Sequence, residues 1–344
     1  MLATVLLKNL TFEVIILETR KNKLIVIWLK TGLFLVVLMV LIGGITRLTH
    51  SGLSMVEWKL IGGTVPPLNE KAWQETFEKY QQFPEYQAYN QGMTLSEFKK
   101  IFFWEYLHRL LGRLMGIIFI IPFVYFLAKK WVDKALGKKL TILLLGGALQ
   151  AGLGWFMVKS GLVDRPSVSH FRLAIHLVAA FSLIVYIFWL ILDLKKVERK
   201  SAPQIFWLSM GMLALTTLQI VYGAFTAGLK AGFICPTFPD MCGHFFPHSI
   251  QTLDFINHPA NIQFLHRIFA WLLFFYAIYL WKRVKASTLE NRSGNLLLLA
   301  LCIQFLLGVA TLLLLMPMTL ALIHQIGAIF VLLSLINIIY RSSL

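Results

Sequence analysis

The sequence predicts an all-α integral membrane protein with eight transmembrane helices. Of its 344 residues, 58% are hydrophobic and only 14% are charged, and the mean hydropathy is +0.73. A soluble domain is about half apolar and about a quarter charged. Since a helix needs roughly 20 residues to cross a bilayer, the apolar residues must also occur in long runs. Eight such runs are present, at 25–45, 103–128, 140–158, 171–192, 204–228, 262–281, 295–316 and 319–340.

The charged residues predict how the helices are oriented. The chain has 32 Lys and Arg against 16 Asp and Glu, a net charge of +16. The basic residues lie between the apolar runs rather than on one polar domain, which argues against a nucleic-acid partner. They concentrate in 1–30 and in alternate connections, and basic loops stay in the cytoplasm. Both termini are therefore predicted to be cytoplasmic. The N-terminus resembles neither a secretory signal nor a mitochondrial presequence, so we expect a bacterial plasma (inner) membrane.

An internal repeat divides the chain into two halves. Leu149-Gln150 with Gly154 has a counterpart in Ile303-Gln304 with Gly308, and Leu107-His108-Arg109 has one in Leu265-His266-Arg267. Four predicted helices separate the copies, as expected for parallel repeats. The predicted organisation is an N-terminal segment 1–24, a four-helix bundle 25–192 with an outer loop 45–101, a linker 193–203, and a second bundle 204–340 with an outer loop 229–261.

Four histidines lie inside the predicted helices, namely His108, His176, His266 and His324. Each is about four to seven residues from the outer end of its apolar run, which predicts a shared depth of roughly 6–11 Å. An ionisable residue within the membrane indicates function, although a single histidine could serve only as an interhelical hydrogen-bonding group. Zinc would require additional close Cys or carboxylate donors. Paired imidazoles in an apolar bundle instead suit haem iron, so two haem sites are predicted.

The two halves differ at one position beside these histidines. Glu105 precedes His108 by three residues, so the two share a helix face, whereas the matching residue of the second half is Gln263. A carboxyl group beside one haem only predicts one reactive site and one site for electron transfer or structure. The alternative is an interfacial carboxylate that pairs with Arg109. Burial would raise the pKa of this carboxyl towards neutrality and suit it to proton transfer.

With these residues in place, the sequence resembles the haem A synthase family from Gly43 to the end of the eighth helix. The motifs that carry the resemblance are GGITRLTHSGLSMVEW (43–58), VPPLNEKAW with PEY (65–73 and 84–86), EYLHRLLGRLMG (105–116), FRLAIH (171–176), FLHR (264–267) and LIHQ (322–325). The first and third are specific, whereas an isolated HR or HQ pair would mean little. The long first outer loop, which lacks cysteine, is similar to that of the mitochondrial and proteobacterial branch.

The resemblance implies a membrane-bound, haem-dependent oxidoreductase that converts the C8 methyl group of haem O into the formyl group of haem A for terminal oxidases. It also implies that Glu105, His108 and His176 form the substrate site, and that His266 and His324 are the axial ligands of a haem B. Expected partners are the lipid bilayer, a haem O synthase upstream, cytochrome oxidase assembly factors and an unidentified electron-transfer partner. Whether the chain forms a homo-oligomer stays open.

The second outer loop departs from that branch, because Cys235 and Cys242 lie within it. The pair resembles the cysteine pair of the Gram-positive branch. Since this loop is predicted to face an oxidising compartment, we predict a disulfide, with two free thiols as the alternative. Cys302 lies within a helix and is expected to pack as a small apolar residue.

Two other functions stay open at the level of the sequence. A dihaem electron-transfer protein, such as a quinol oxidoreductase, would use both histidine pairs but would not need Glu105. A transporter would place its polar residues near the midplane of the membrane, which the shared outer depth of the histidines disfavours. Four arginines at outer helix ends are candidates for the haem propionates or for lipid headgroups: Arg47, Arg109, Arg172 and Arg267.

Overall fold

The structure is a computed structural model that describes residues 2–56, 65–161 and 166–343, with side chains from residue 20 onward. Glu57 and Trp58 of the first motif lie outside the described residues. The α-helices of the described ranges are α1 (Leu2–Leu48), α2 (Glu70–Gln81), α3 (Pro84–Tyr89), α4 (Leu95–Ala128), α5 (Lys134–Lys159), α6 (His170–Leu194), α7 (Pro203–Gly228), α8 (Pro259–Lys285), α9 (Asn291–Leu313) and α10 (Met318–Ser342).

Eight of the helices in the described ranges are long and apolar enough to cross a membrane, namely α1 from Arg20 onward and each helix from α4 to α10. Within the described ranges, the only β-type pairing is one isolated bridge between Met241 and His244. The prediction of an all-α chain with eight spanning helices is therefore confirmed.

Most helices extend a few residues beyond the predicted apolar runs, as α5 does in beginning at Lys134 rather than 140. Two other boundaries have a clear local cause. α4 begins at Leu95 rather than near 103, because Thr94 and Glu97 form a capping box that starts the helix before its apolar part. α9 ends at Leu313 rather than at 316, since Leu315 and Met316 adopt left-handed backbone angles, each with φ of 61°. Pro317 follows them and disfavours a helical residue before it.

The predicted N-terminal segment and first outer loop contain helices that the apolar pattern does not reveal. α1 is continuous from Leu2, so the described part of the N-terminal segment, 2–24, forms one helix with the first span. The loop contains α2 and α3, which pack with the start of α4 through buried aromatic rings. Phe77 and Tyr80 both stack on Phe98, with ring centroids 5.0 and 5.2 Å apart. The loop is thus a packed cap on this end of the bundle.

The spanning helices contact one another in two rings. α1, α4, α5 and α6 form the first ring, and α7, α8, α9 and α10 form the second. α1 and α6 of the first ring contact α7 or α10 of the second, so the two rings share a central interface. We call the end that carries the connections 49–94 and 229–258 the loop face, and the other end the opposite face.

The large hydrophobic core lies towards the opposite face. It includes fully buried side chains from the half of each helix remote from the long loops, such as Leu140, Ile184, Met212, Leu280 and Leu335. At its edge, the carboxylate of Asp193 accepts hydrogen bonds from Lys139 at 2.8 Å and from the hydroxyl of Tyr340 at 3.0 Å, and pairs with Arg199. This cluster joins α6 to helices of both rings. Dense packing at one end leaves the space near the loop face for a site.

Candidate functional site

One cavity, which extends from the loop face into the hydrophobic core, brings all four predicted histidines together. Its volume is about 1190 Å³, and it extends through both rings. Its polar and charged lining includes His108, His176, His266, His324, Glu85, Glu105, Arg47, Arg109, Arg113, Lys230 and Arg267. Among the four arginines considered from the sequence, Arg172 is not in this lining. It donates to the carbonyl oxygen of Phe156 at 2.8 Å and stacks on that ring.

Each histidine lies against a glycine of the spanning helix that precedes it. A Cβ atom added to the glycine would lie 3.2 Å from the ring for Gly43 and His108, 3.1 Å for Gly154 and His176, 3.3 Å for Gly223 and His266, and 2.9 Å for Gly308 and His324. These distances are at or below the tightest ordinary contacts of a real Cβ. The glycine therefore lets each imidazole lie close to the neighbouring helix, and the same arrangement occurs in four successive helix pairs.

A glutamine one turn before the glycine contacts the histidine in three of these four pairs. Gln150 donates to the carbonyl oxygen of His176 at 3.1 Å, and Gln304 donates to that of His324 at 2.8 Å. The Nε2 atom of Gln219 lies 3.4 Å from Nε2 of His266. The sequence repeat predicted a role for Gln150 and Gln304. It did not predict one for Gln219 and Gly223, although these have the same four-residue spacing.

The first helix pair has Met39 where the others have glutamine. Among the described residues, no side chain forms a hydrogen bond with the ring of His108. This imidazole is held by its packing against Gly43 and by the walls of the cavity. The four histidines thus share their position but differ in how firmly each ring is oriented.

The polar atoms of the cavity fit a haem group. Within the described part of the chain, the buried Nδ1 atoms of His176, His266 and His324 have no hydrogen-bond partner. Leaving a buried polar atom unsatisfied costs about 1–3 kcal/mol, so such atoms mark a place where a ligand completes the site. Imidazole nitrogens bind haem iron, and guanidinium groups such as that of Arg47 bind carboxylates like the propionates.

The histidines do not share one position relative to their helix starts. His176 and His324 each lie six residues after the first residue of their helix, and His266 lies seven after. His108 lies thirteen after Leu95, because α4 extends beyond the apolar segment into the loop. The prediction that each histidine lies four to seven residues from the start of its helix is therefore wrong for His108 in α4. The four rings nevertheless line one cavity.

Glu105 is buried, with 3% of its surface exposed. Its Oε2 accepts hydrogen bonds from the Ser54 hydroxyl at 2.7 Å and from the backbone N–H of Met55 at 2.8 Å. Its Oε1 pairs with the guanidinium of Arg109 at 2.5 Å. The alternative considered from the sequence, an ion pair with Arg109, is thus present, and Glu105 lines the cavity as well.

These contacts hold both carboxyl oxygens of Glu105 in place, since Oε2 accepts two hydrogen bonds and Oε1 pairs with a guanidinium group. The donors were not predictable from the helix pattern, because Ser54 and Met55 belong to the loop after α1. Glu105 is accordingly an oriented carboxyl group at the wall of the first-half cavity.

The second half uses the equivalent positions to hold its own loop. The amide of Gln263 donates to the carbonyl oxygen of Cys235 at 3.0 Å, and Arg267 donates to the same oxygen at 2.6 Å and to that of Asp240 at 2.7 Å. Cys235 and Cys242 form a disulfide, with Cα atoms 5.5 Å apart, as predicted. Gln263 thus replaces the anion of the first half by a neutral group.

A second carboxyl group, that of Glu85 in α3, also lines the cavity. Only 4% of its surface is exposed, and the hydroxyl of Tyr80 donates to its Oε2 at 3.2 Å. Burial, and next the charge of Glu105, raise the pKa of Glu85 to about 8. The sequence motif that contains this residue, PEY, does not predict that its carboxyl reaches the site, because this depends on how the cap packs on the spanning helices.

Comparison with known proteins gives one consistent result. A family model described as cytochrome oxidase assembly protein matches residues 26–336. A haem A synthase of Nitrosospira multiformis is 47% identical over 321 residues, which covers 90% of this chain and 90% of that protein. A haem A synthase of Flavobacterium psychrophilum is 46% identical over 337 residues, with 94% and 99% covered, and one of Flavobacterium johnsoniae is 44% identical over 338 residues, with the same coverage. The chain therefore belongs to the cytochrome oxidase assembly protein family, which includes these haem A synthases.

Proposed function

We propose that this chain is a haem A synthase that oxidises the C8 methyl group of haem O to a formyl group. The observation that carries the proposal is one cavity with two histidine pairs and a carboxylate, Glu105, beside the first pair only. A dihaem electron carrier would also use both pairs. It would have no need of a buried, fully hydrogen-bonded anion in the cavity at one of them.

In this proposal each half holds one haem. His108 and His176 would hold haem O, the substrate, and His266 and His324 would hold a resident haem B. When bound, the iron supplies the redox chemistry of the oxidation. The four glycines let the imidazoles lie close to the neighbouring helices. The guanidinium groups that line the cavity would bind the propionates; they belong to Arg47, Arg109, Arg113 and Arg267.

Glu105 acts on the reacting side of the substrate. Its carboxylate is fixed by Ser54, Met55 and Arg109, so it needs no reorganisation when positive charge or a proton appears beside it. A preorganised charge in a water-poor cavity has a much larger effect than one in bulk water. The matching Gln263 cannot ionise, which is consistent with a site for electron transfer or structure in the second half.

We also propose how the chain lies in the cell. The loop face is the outer face, and both termini are cytoplasmic, in agreement with the basic connections of the opposite face. The membrane is the inner membrane of a bacterium. The chain divides into two four-helix bundles at 193–203, and it works beside a haem O synthase, oxidase assembly factors and an electron-transfer partner.

His266→Ala and His324→Ala are each expected to abolish stable haem B binding while the protein still inserts into the membrane. Each removes one of the two imidazoles of the half that lacks a carboxylate. Haem B is measured in the purified variants by the pyridine haemochrome spectrum, with His244→Ala, an exposed histidine of the loop before α8, as the control. An unchanged haem B content in either variant would contradict the ligand assignment.

Gly308→Ala is expected to lower haem B content as well, because its Cβ would lie 2.9 Å from the His324 ring and force the ring to move. Gly152→Ala is the matched control, since a Cβ there meets nothing within 4 Å. Both variants replace a helical glycine by a better helix former. Equal haem content in the two variants would show that the close glycine contact does not position the ligand.

Glu105→Gln is expected to fold and bind haem but to lose haem A formation by roughly 10²–10⁴-fold. Glutamine has nearly the same size and still hydrogen-bonds, but it carries no charge and exchanges no proton. The ratio of haem A to haem O is measured in membranes that contain an active haem O synthase. Glu75→Gln, an exposed residue of α2, is the control.

In the Glu105→Gln membranes haem O should accumulate. A wild-type content of haem A would leave Glu105 as an interfacial carboxylate. Loss of all haem would instead make the residue structural.

A further inference from the structure

The cavity contains two buried carboxyl groups whose surroundings differ sharply. Glu105 belongs to α4, and Glu85 belongs to α3 in the cap on the loop face. Both line the cavity. Both oxygens of Glu105 are engaged by donors, two on Oε2 and the Arg109 cation on Oε1. Glu85 receives one hydrogen bond, from Tyr80, and among the described residues its Oε1 receives none. One carboxyl has both oxygens engaged by donors, and the other has an oxygen free to hold a proton.

The hydroxyl of Tyr80 is itself oriented towards Glu85. The side-chain amide of Asn90 donates to the Tyr80 oxygen at 2.6 Å, which directs the hydroxyl proton towards Glu85 Oε2, 3.2 Å away. Tyr80 is fully buried among the aromatic rings of the cap, whereas Asn90 is partly exposed. The Glu85 carboxyl therefore lies between the cavity and the surface of the loop face, at the inner end of a short polar path.

Three charged or titratable groups act on Glu85 from the elements packed around it: Tyr80 of α2, Glu105 of α4 and Lys230 after α7. Burial and the Glu105 charge raise the pKa of Glu85, and the Tyr80 hydrogen bond and the Lys230 charge offset this only in part, which leaves it at about 8. Burial and the charge of Glu85 also raise the pKa of Tyr80, so the phenol keeps its proton at neutral pH. Glu85 is thus a neutral acid near pH 7 that loses its proton readily.

We propose that Glu85 is the group that exchanges protons between the reaction cavity and the outer aqueous phase. Carboxyl groups of one site that lie in different surroundings can take different roles. Glu105 is held by three donors, and Glu85 is the acid that cycles. An acid whose pKa lies close to the working pH is the most effective in such a role. The proposal rests on the proposed function, since that oxidation is what releases the protons.

The proton balance is simple. With water as the source of the oxygen, conversion of a methyl to a formyl group is R–CH3 + H2O → R–CHO + 4 H+ + 4 e−, in which two C–H and two O–H bonds break and one C=O bond forms. The four electrons pass to the electron-transfer partner of the proposed oxidation, and the four protons have to leave the cavity. Glu85 first gives its proton to water at the loop face, with the O–H bond broken and the carboxylate formed. It then accepts a proton from the cavity, which restores the O–H bond. Glu85 is unchanged after each cycle, and no oxidant beyond that of the main reaction is needed.

The test uses Glu85→Gln, which retains the size of the side chain and the ability to accept the Tyr80 hydrogen bond but cannot exchange a proton. Haem O binding should be unchanged, and haem A formation should fall by roughly 10²-fold. The wild-type rate should change with pH across the range around 8, and that change should be absent from the variant. Glu75→Gln, exposed on α2, is the control and should behave as wild type.

A second readout does not depend on activity. In infrared difference spectra of the purified protein, the carbonyl band of a protonated carboxyl should disappear as the pH rises through about 8, and Glu85→Gln should lack that band. Tyr80→Phe keeps the ring in the aromatic cluster but removes a hydrogen bond that favours the carboxylate. It should therefore move the midpoint of the band to higher pH, and it serves if Glu85→Gln does not fold.

The outcomes separate the two levels of the proposal. A wild-type protein and a Glu75→Gln control that both fail to form haem A would contradict the proposed function. An active wild type beside a Glu85→Gln variant with the same rate and pH profile would overturn the role of Glu85 alone. A carboxyl band that does not titrate near pH 8 would also overturn it. So would a Tyr80→Phe variant in which the midpoint of the band is the same as in the wild type.

Discussion

The rest of the structure depends on the burial of four imidazoles in one cavity at one end of a helical bundle. A ring that is large and polar can lie between helices in a membrane only if the neighbouring helix makes room for it, and a glycine does so in every helix pair. A cavity of this size also removes packing from half of the bundle. The hydrophobic core is accordingly concentrated at the opposite face, where the Asp193 cluster joins helices of both halves. The cap formed by α2 and α3 then covers the open end.

The repeat gives the two halves the same scaffold, and single substitutions give them different chemistry. Glu105 and Gln263 occupy matching positions and both hold a loop, yet only the first carries a charge into the cavity. Met39 replaces the glutamine that contacts the histidine in the other three helix pairs, so the ring of His108 has the least hydrogen-bonded surroundings. Both differences fall in the first half. The half proposed to hold the substrate is thus the one that departs from the common pattern.

The fold and the members of the histidine cavity could be predicted from the sequence because they follow from local patterns. Runs of about 20 apolar residues define the spans, and the four histidines stand out as ionisable residues within them. The partners of Glu105 could not be predicted in this way. Ser54 reaches Glu105 through the conformation of its loop, and Glu85 reaches the cavity through the packing of the cap. Neither follows from the local pattern of residues.

We propose that one chain holds two haems, a resident haem B in the second half and the substrate haem O or its product haem A in the first half. The most direct measurement is to extract the pigments of the purified wild-type protein, expressed beside a haem O synthase, and to separate haems B, O and A. The account predicts haem B together with haem O or haem A. Haem B alone would contradict the claim and would instead fit a dihaem electron carrier.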